Sequence, residues 1–221
     1  YIDKTALIYQ MAKTGSYYFL SRPRRFGKSL LLSTLEAYFQ GKKELFEGLA
    51  IKKLEKEWLT YPILHIDLNT EKYDTPASLE NKLNRVLVEW EKMYGAEPAE
   101  TSLAMRFEGI IGRACEKEGQ SVVILVDEYD KPMLQAIGND VLQESFRNTL
   151  KAFYGALKSK DGCIRFAMLT GVTKFGKVSV FSDLNNLEDI SMRQQYVEIC
   201  GISERELYEN FETELHEFAD E

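Results

Sequence analysis

The sequence predicts a single α/β domain built on a mainly parallel sheet, and three observations support that fold class. Short apolar runs rich in β-branched and aromatic residues recur along the 221 residues, and each is typical of a buried strand. Longer segments with apolar residues at helical spacing separate these runs. The sequence has no internal repeat, low-complexity tract or Pro/Gly-rich linker that would divide it. Because strands that alternate with helices form parallel sheets with right-handed crossovers, we expect one α/β domain.

The first half of the chain supplies two strands. Residues 17–20 (YYFL) form a short aromatic run that predicts a buried strand, and a loop at 21–27 follows. A helix is predicted from Ser29, because leucine and phenylalanine recur there every four residues, and Gly41 fits its C-terminal cap. The run ILHIDL at 63–68 predicts the second strand, ending near its aspartate.

The middle of the chain is mainly helical. Helical periodicity predicts helices at 78–94 and at 102–118, the second closed by Gly119. Residues 121–126 (SVVILV) form a continuous β-branched run of the kind that is buried on both faces of a sheet. A further helix follows at 142–157, and its apolar stripe indicates core packing.

The last part of the chain has weaker patterns. Residues 164–169 (IRFAML) predict a strand, and a polar, loop-like segment extends from 170 to 195. The run YVEIC at 196–200 is the last strand candidate, and a final helix is predicted from about Ser203.

Composition narrows the class of protein. Apolar residues make up 44% and charged residues 29% of the chain, as in ordinary globular proteins. No run approaches 18 uncharged apolar residues and no signal-peptide pattern is present, so we expect no membrane span. Three cysteines without metal spacing predict reduced thiols in a cytoplasmic protein. The net charge of −7 disfavours nucleic acid as a partner, whereas four cations between residues 21 and 29 suit a small polyanion.

The loop at 21–27 leads into the triad Gly27-Lys28-Ser29, which closes the phosphate-binding (Walker A) pattern G-x-x-x-x-G-K-[ST]. Since the triad stands between a predicted strand and a predicted helix, backbone N–H groups would point at bound phosphates. Lys28 would then reach the β- and γ-phosphates, and the Ser29 hydroxyl would bind Mg²⁺. The predicted nucleotide-binding residues are Arg22, Pro23, Arg24, Arg25, Phe26, Gly27, Lys28, Ser29 and Leu30.

Arg22 occupies the position where the pattern has its first glycine. A residue with negative φ serves there if the loop is slightly wider, and Pro23 fixes φ next to it. The loop arginines would add positive charge to a triphosphate or contact another partner. The alternative is a basic, solvent-exposed turn, because a Gly-Lys-Ser triad alone occurs by chance in roughly one chain in ten of this length.

Asp127 and Glu128 follow the apolar strand at 121–126, which is the arrangement of the second nucleotide-binding (Walker B) motif. Asp127 would hold the Mg²⁺ shell beside Ser29, and Glu128 would act as general base on a water that attacks the γ-phosphate. The alternative is an acidic turn. Thr170 ends the strand at 164–169 and is the candidate sensor of the γ-phosphate or its water; a simple strand-ending threonine is the alternative.

These motifs resemble the predicted AAA-ATPase-like family of bacterial and archaeal proteins, and are similar to the wider group of signal-transduction P-loop ATPases with an arginine-rich loop. The stretches that match are YIDKT (1–5), FLSRPRRFGKSLL (19–31), VDEYDKP (126–132), LTGVTKF (169–175) and FSDLNNLEDIS (181–191). In this family the phosphate loop reads R-P-R-R-F-G-K-S, so Arg22 is the expected residue.

The resemblance implies a P-loop NTPase fold, a three-layer α/β/α sandwich with about five strands of the additional-strand type. It places the strand that bears Thr170 between those that lead to Lys28 and Asp127. Family members continue beyond such a domain, often into a restriction-endonuclease-like domain, and we assign no nuclease chemistry to this chain. We expect an ATPase domain at 1–202 and the start of a C-terminal helical region at 203–221.

The function expected from these motifs is Mg-dependent ATP binding and hydrolysis that drives a conformational switch in a C-terminal domain or a protein partner. The first alternative is a nucleotide-sensing module with little or no turnover. A small-molecule kinase is disfavoured because kinases of that sort usually lack a glutamate directly after the strand aspartate. A nucleic-acid contact is disfavoured by the charge. The absence of an N-K-x-D motif favours ATP over GTP.

Residues near the N-terminus and after Glu128 are secondary candidates. Tyr1, Asp3 and Lys4 either line the adenine side of the site or only pack the N-terminus. Asp130 and Lys131 either position Glu128 or form a surface ion pair.

Two histidines and one arginine complete the candidates. His65 lies in an apolar strand and is interpreted as a core residue, and His216 as part of a solvated acidic face without metal spacing. Arg193 is either an arginine finger, in cis or in a neighbour, or an exposed arginine.

Overall fold

The computed structural model describes residues 2–174, 180–182 and 184–219. Five parallel strands form one sheet in the order β2-β3-β4-β1-β5. Their bounds are β1 Tyr17–Ser21, β2 Ile63–Asp67, β3 Val122–Asp127, β4 Ile164–Gly171 and β5 Glu188–Asp189. The predicted α/β class and its parallel sheet are confirmed.

The helices of the described residues surround this sheet. Their bounds are α1 Thr5–Thr14, α2 Lys28–Phe39, α3 Ala50–Leu54, α4 Pro76–Tyr94, α5 Leu103–Glu118, α6 Lys131–Gln135, α7 Asp140–Ser159, α8 Glu204–Asn210 and α9 Glu212–Ala219. The predicted helices are confirmed within a few residues of their expected ends.

Side chains of each central strand alternate between two cores. In β3, Val122, Ile124 and Val126 belong to the core under α4, α5 and α7, whereas Val123 and Leu125 belong to the core under α1, α2 and α3. All five are fully buried, as expected for a strand covered on both faces. The fold is therefore a three-layer α/β/α sandwich.

The order of the strands brings the three predicted motifs together at the carboxyl ends of β1, β4 and β3. β4 pairs with β1 on one side, with Leu20 opposite Thr170, and with β3 on the other, with Val126 opposite Leu169. The prediction that the strand of Thr170 lies between the other two motif strands is confirmed. Because all the strands are parallel, their carboxyl ends form a single rim, and ligands of open α/β sheets bind at such rims.

Helix α2 ends as its sequence predicts. Gly41 adopts a left-handed φ of 68°. Its N–H donates to Tyr38 O at 3.0 Å, and the N–H of Lys42 donates to Ala37 O at 3.1 Å. These two bonds form a Schellman cap, which satisfies carbonyls at the end of the helix.

The strand predicted at 196–200 is wrong. That segment begins with the last residue of a 3₁₀ turn, Gln194–Tyr196, and continues in turns and bends. Its buried residues are Tyr196, Ile199 and Cys200, with Val197 exposed, so the apolar positions follow a turn rather than the alternation of a strand. The fifth strand is β5, which lies in the segment predicted to be a loop.

Among the helices of the described ranges, none combines the length and the apolarity needed to cross a membrane.

Candidate functional site

The loop between β1 and α2 lies at the carboxyl end of β1. The N–H of Arg22 donates to Gly171 O at 3.1 Å, which extends the β1–β4 ladder by one residue. The chain then turns through left-handed conformations at Arg25 (φ 65°) and Gly27 (φ 81°). Leu31 N–H makes the first helical bond to Gly27 O at 2.9 Å. The first N–H groups of α2 therefore face the rim, where the helix dipole favours an anion.

Lys28 is enclosed by the loop that precedes it. Its side chain is only 4% exposed, and its ammonium donates to the carbonyls of Arg22 at 3.0 Å and Pro23 at 3.2 Å. A third contact joins it to Glu128 Oε1 at 3.1 Å. The lysine thus ties the loop to the end of β3.

The Asp127 carboxylate accepts one hydroxyl from each neighbouring motif. Ser29 Oγ donates to Oδ2 at 2.6 Å, and Thr170 Oγ1 donates to Oδ1 at 2.6 Å. Asp127 is 6% exposed and Thr170 is fully buried. A hydroxyl and a carboxylate in contact supply the hard oxygen ligands that Mg²⁺ prefers, so Ser29 and Asp127 fit a Mg²⁺ site.

Glu128 lies beside this cluster in a strained backbone conformation, with φ at 54°. Such a conformation is uncommon for residues other than glycine and is concentrated at functional sites. Burial raises the pKa of the Glu128 carboxyl above its ordinary value, and the ion pair with Lys28 offsets only part of that rise.

Asp130 is a buried anchor rather than half of a surface ion pair. It is fully buried and accepts hydrogen bonds from the Thr173 N–H at 2.7 Å, the Thr173 hydroxyl at 2.8 Å and the Val172 N–H at 3.2 Å. Tyr129 N–H also donates to Thr170 O at 2.9 Å. The turn after β3 is therefore fastened to the chain after β4. The DEYD pattern gives the only sequence signal for this contact.

Arg22 directs its guanidinium away from the loop interior. It donates to the carbonyl oxygens of Ser21 at 3.1 Å, of Ser191, and of Val197 at 3.5 Å. Arg24 and Arg25 are exposed. Placement of these arginines at a phosphate stays a prediction.

The N-terminal candidates have separate surroundings. Asp3 accepts from the N–H of Thr5 at 2.9 Å and of Ala50 at 2.7 Å, so it joins the starts of α1 and α3. Lys4 instead forms an ion pair with Glu206 of α8. Tyr1 lies outside the described residues.

Beside the phosphate loop is a cavity of about 350 Å³. Its walls come from the start of the chain, from the loop and α2, and from the segment after residue 198. Lys4 lies in the wall from the start of the chain. The assignment of Lys4 to the adenine side of the site stays a prediction, and its ion pair with Glu206 also packs the start of the chain.

The remaining candidates lie apart from this cluster. His65 Nδ1 is 2.8 Å from Glu36 Oε2, and Arg193 pairs with Glu188 at 2.6 Å with its side chain 54% exposed. The His216 side chain lies outside the described residues, as do Phe175 and Asp183 of the motif stretches.

The profile of a family described as "Predicted AAA-ATPase" matches residues 1–181. An "Uncharacterized protein in vnfD 5'region" of Azotobacter chroococcum mcd 1 is 40% identical over 215 residues, which are 97% of this chain and 42% of that protein. The chain thus spans less than half of that relative's length. No solved structure matches the chain.

Proposed function

Since the chain belongs to the predicted AAA-ATPase family, we propose that the rim formed by β1, β4 and β3 binds Mg-ATP and hydrolyses it. One observation carries the proposal. Contacts of 2.6–3.1 Å join Lys28 to Glu128, and Asp127 to both Ser29 and Thr170, at the ends of three adjacent strands. A basic turn without function would not bring a buried lysine, two carboxylates and two hydroxyls together.

The triphosphate is bound by the loop. N–H groups at the start of α2 point at its oxygens, and the Lys28 ammonium turns from two loop carbonyls and Glu128 to the β- and γ-phosphates. Binding therefore exchanges contacts within the protein for contacts with the ligand. That exchange releases the Glu128 carboxylate.

Ser29 and Asp127 would hold Mg²⁺, which neutralises charge on the β- and γ-phosphates when it is bound. Thr170 donates to the other oxygen of Asp127 and so fixes the orientation of that carboxylate. Its place between the two motif strands also supports the sensor role proposed from the sequence.

Glu128 acts as the general base. Once Lys28 has turned to the phosphates, the Glu128 carboxylate accepts a proton from a water molecule whose oxygen attacks the γ-phosphorus. The bond from that phosphorus to the bridging oxygen breaks, and ADP leaves with the electron pair. Because the pKa of the Glu128 carboxyl is raised, Glu128 is a better proton acceptor than an exposed glutamate.

A nucleotide-sensing module with little turnover is the second candidate function. The observation that favours it is the Lys28–Glu128 ion pair. This pair occupies the Glu128 carboxylate, which cannot accept a proton from water until a ligand separates the two groups. In either case the bound state differs from the free state at the loop, and we propose that this difference is passed to a C-terminal domain or a partner.

Binding of ATP by Lys28→Ala tests the proposal, with Lys13→Ala as the matched control. Lys13 also pairs with a glutamate, Glu55 at 2.8 Å, but near the amino ends of the strands. We expect Lys28→Ala to lose ATP binding and Lys13→Ala to retain it, measured by titration calorimetry with Mg²⁺ present. Equal ATP affinity in Lys28→Ala and the wild type would contradict the phosphate-loop interpretation.

A further inference from the structure

A pair of cysteine thiols lies apart from the phosphate site. Cys115 is on α5, and Cys163 ends a short 3₁₀ turn, Asp161–Cys163, that leads directly into β4. Both are free cysteines, and their thiols are hydrogen-bonded to each other. We propose that Cys115 and Cys163 form a reversible disulfide when the protein meets a peroxide, and that this bond joins α5 to the start of β4. The proposal does not depend on whether the rim binds ATP.

The turn that bears Cys163 is packed against α5. The side chain of Lys160, which precedes the turn, lies beside Gly112, where an added Cβ would be 3.6 Å from the lysine Nζ. Gly112 and Cys115 are three residues apart, so they lie on the same face of α5. Both cysteines also pack against the same core, the one under α4, α5 and α7. The contact between the thiols is therefore part of a wider area of packing between α5 and the turn.

Two hydrogen bonds fix the turn from its other side. The Tyr17 hydroxyl donates to Asp161 Oδ1 at 2.7 Å, which joins the turn to the start of β1. The Cys163 N–H donates to Lys160 O at 2.8 Å. The backbone of Cys163 is thus held while its thiol contacts Cys115. Groups held in contact react at a high effective concentration, because little freedom of movement is lost when the bond forms.

Small reagents reach this pair from solvent. Both cysteines are half-buried, and a Cβ added at Gly162, the residue before Cys163, would meet open space among the described residues. Cys200 differs, since it is only 9% exposed and burial raises the pKa of its thiol to about 11. Because the thiolate is the reactive form of cysteine, we expect Cys200 to stay unreacted.

The reaction with hydrogen peroxide takes two steps. Burial and the neighbouring thiol raise the pKa of Cys115, so the first attack is assigned to Cys163. Its thiolate sulfur bonds to one peroxide oxygen, the O–O bond breaks, and the hydroxide that leaves takes up the proton that Cys163 released. The product at Cys163 is a sulfenic acid.

The second step forms the disulfide. The sulfur of Cys115 attacks the sulfenic sulfur of Cys163, the S–O bond breaks, and water leaves with the proton of Cys115. Two thiols and one peroxide thus give one disulfide and two waters, and the two electrons lost by the sulfurs reduce the peroxide. A small dithiol such as dithiothreitol reverses the reaction by thiol–disulfide exchange.

The disulfide closes a loop that contains part of the predicted catalytic site. The loop extends from Cys115 to Cys163 and includes β3, α6 and α7. A cross-link over such a loop removes conformational freedom from the unfolded chain and so stabilises the folded state. We expect the oxidised wild type to melt roughly 5–10 °C above the reduced wild type.

A count of free thiols after treatment with hydrogen peroxide tests the proposal. The wild type should fall from three free thiols to one, with an intact mass lower by about 2 Da and a peptide that joins residues 115 and 163. Cys200→Ser is the matched control and should fall from two free thiols to none. Dithiothreitol should restore the thiols of both proteins.

Cys115→Ser separates the two steps. The sulfenic acid at Cys163 then lacks its partner, so dimedone should label Cys163 in this variant, and peroxide should no longer raise the melting temperature. Cys115→Ala, which places the strongest helix former on α5, should give the same two results. Labelling of Cys163 to the same extent in the wild type would show that Cys115 does not resolve the sulfenic acid.

The outcomes also separate this inference from the proposed function. The proposal is overturned if the wild type keeps its thiols under conditions that convert free cysteine to cystine, or if its disulfides form only between molecules or with Cys200. An internal disulfide without a rise in melting temperature would exclude the stabilising link. Reduced Cys115→Ser should bind ATP as the reduced wild type does, so loss of ATP binding in Lys28→Ala tests the phosphate site independently.

Discussion

Two Lys–Glu pairs of this molecule differ in what surrounds the carboxylate. At the amino ends of the strands, Glu55 accepts from Lys13 at 2.8 Å, from the Tyr38 hydroxyl at 2.5 Å and from two backbone N–H groups. At the carboxyl ends, the one ion-pair partner of the Glu128 carboxylate among the described residues is Lys28, at 3.1 Å. Both glutamate side chains are largely buried, being 5% and 12% exposed.

The pKa values of the two carboxyls move in opposite directions. Burial acts to raise the pKa of Glu55, but its hydrogen bonds, led by that from Lys13, lower it to about 2. Burial also acts on Glu128, where the single partner does not compensate, and its pKa stays raised. A glutamate with several donors stabilises the fold, whereas one with a single, exchangeable donor is available for proton transfer.

Asp130 lies close to Glu128 but, like Glu55, accepts several hydrogen bonds. Its replacement should therefore have the largest effect on stability. Replacing it with alanine leaves the partly buried N–H groups of Val172 and Thr173 without their acceptor. We expect Asp130→Ala to lower the free energy of unfolding by about 2–4 kcal/mol in urea titrations. Asp130→Asn keeps an acceptor at that place and should lose less. Equal stability of wild type and Asp130→Ala would show that these bonds contribute nothing.

Glu55→Gln should have a somewhat smaller effect, and only on stability. The folded-state pKa of Glu55, about 2, lies below the ordinary glutamate value of 4.5, so its contribution to stability is complete above pH 4.5 and is lost as the pH falls towards 2. We expect Glu55→Gln to be about 2–3 kcal/mol less stable than wild type at pH 7. The figure is reduced because Lys13 is partly exposed, so that solvent screens its ion pair with Glu55. The difference should shrink in unfolding titrations at acidic pH. A constant difference would exclude this linkage.

The smallest expected effect is a shift in the pH dependence of the rate of phosphate release. Because the pKa of Glu128 is raised, the general base is protonated at a higher pH than an ordinary glutamate. We expect the acidic limb of the rate of phosphate release to lie above pH 4.5, the ordinary value for glutamate. Lys13→Ala should leave the limb where it is. A limb at or below the ordinary value would mean that Glu128 is not the group that titrates.

The motifs near Lys28 and Asp127 were predictable because each is local. An apolar strand, a turn and an amphipathic helix are encoded within some 25 residues, and the position of Thr170 between them followed from the family resemblance. Strand β5 was not predictable, since its two residues, Glu188 and Asp189, are charged and have no apolar pattern.

The contacts between side chains and residues far away in the sequence were not predictable either. The contacts of Arg22 with Ser191 and of Lys4 with Glu206 join residues 169 and 202 positions apart. No local pattern specifies such pairs, which depend on how the chain returns after β5. The misassigned strand at 196–200 has the same origin, because that segment is shaped by its packing on the loop.

The most direct test of the central claim compares Glu128→Gln with Glu55→Gln in steady-state release of phosphate from Mg-ATP, with ATP binding followed in parallel. The account predicts that Glu128→Gln binds ATP but turns it over about 10²–10⁴-fold more slowly, whereas Glu55→Gln is less stable and, while folded, as active as the wild type. If Glu128→Gln releases phosphate as fast as the wild type, Glu128 is not the general base. If a wild type that binds ATP tightly shows no turnover above Glu128→Gln, the chain is a nucleotide sensor.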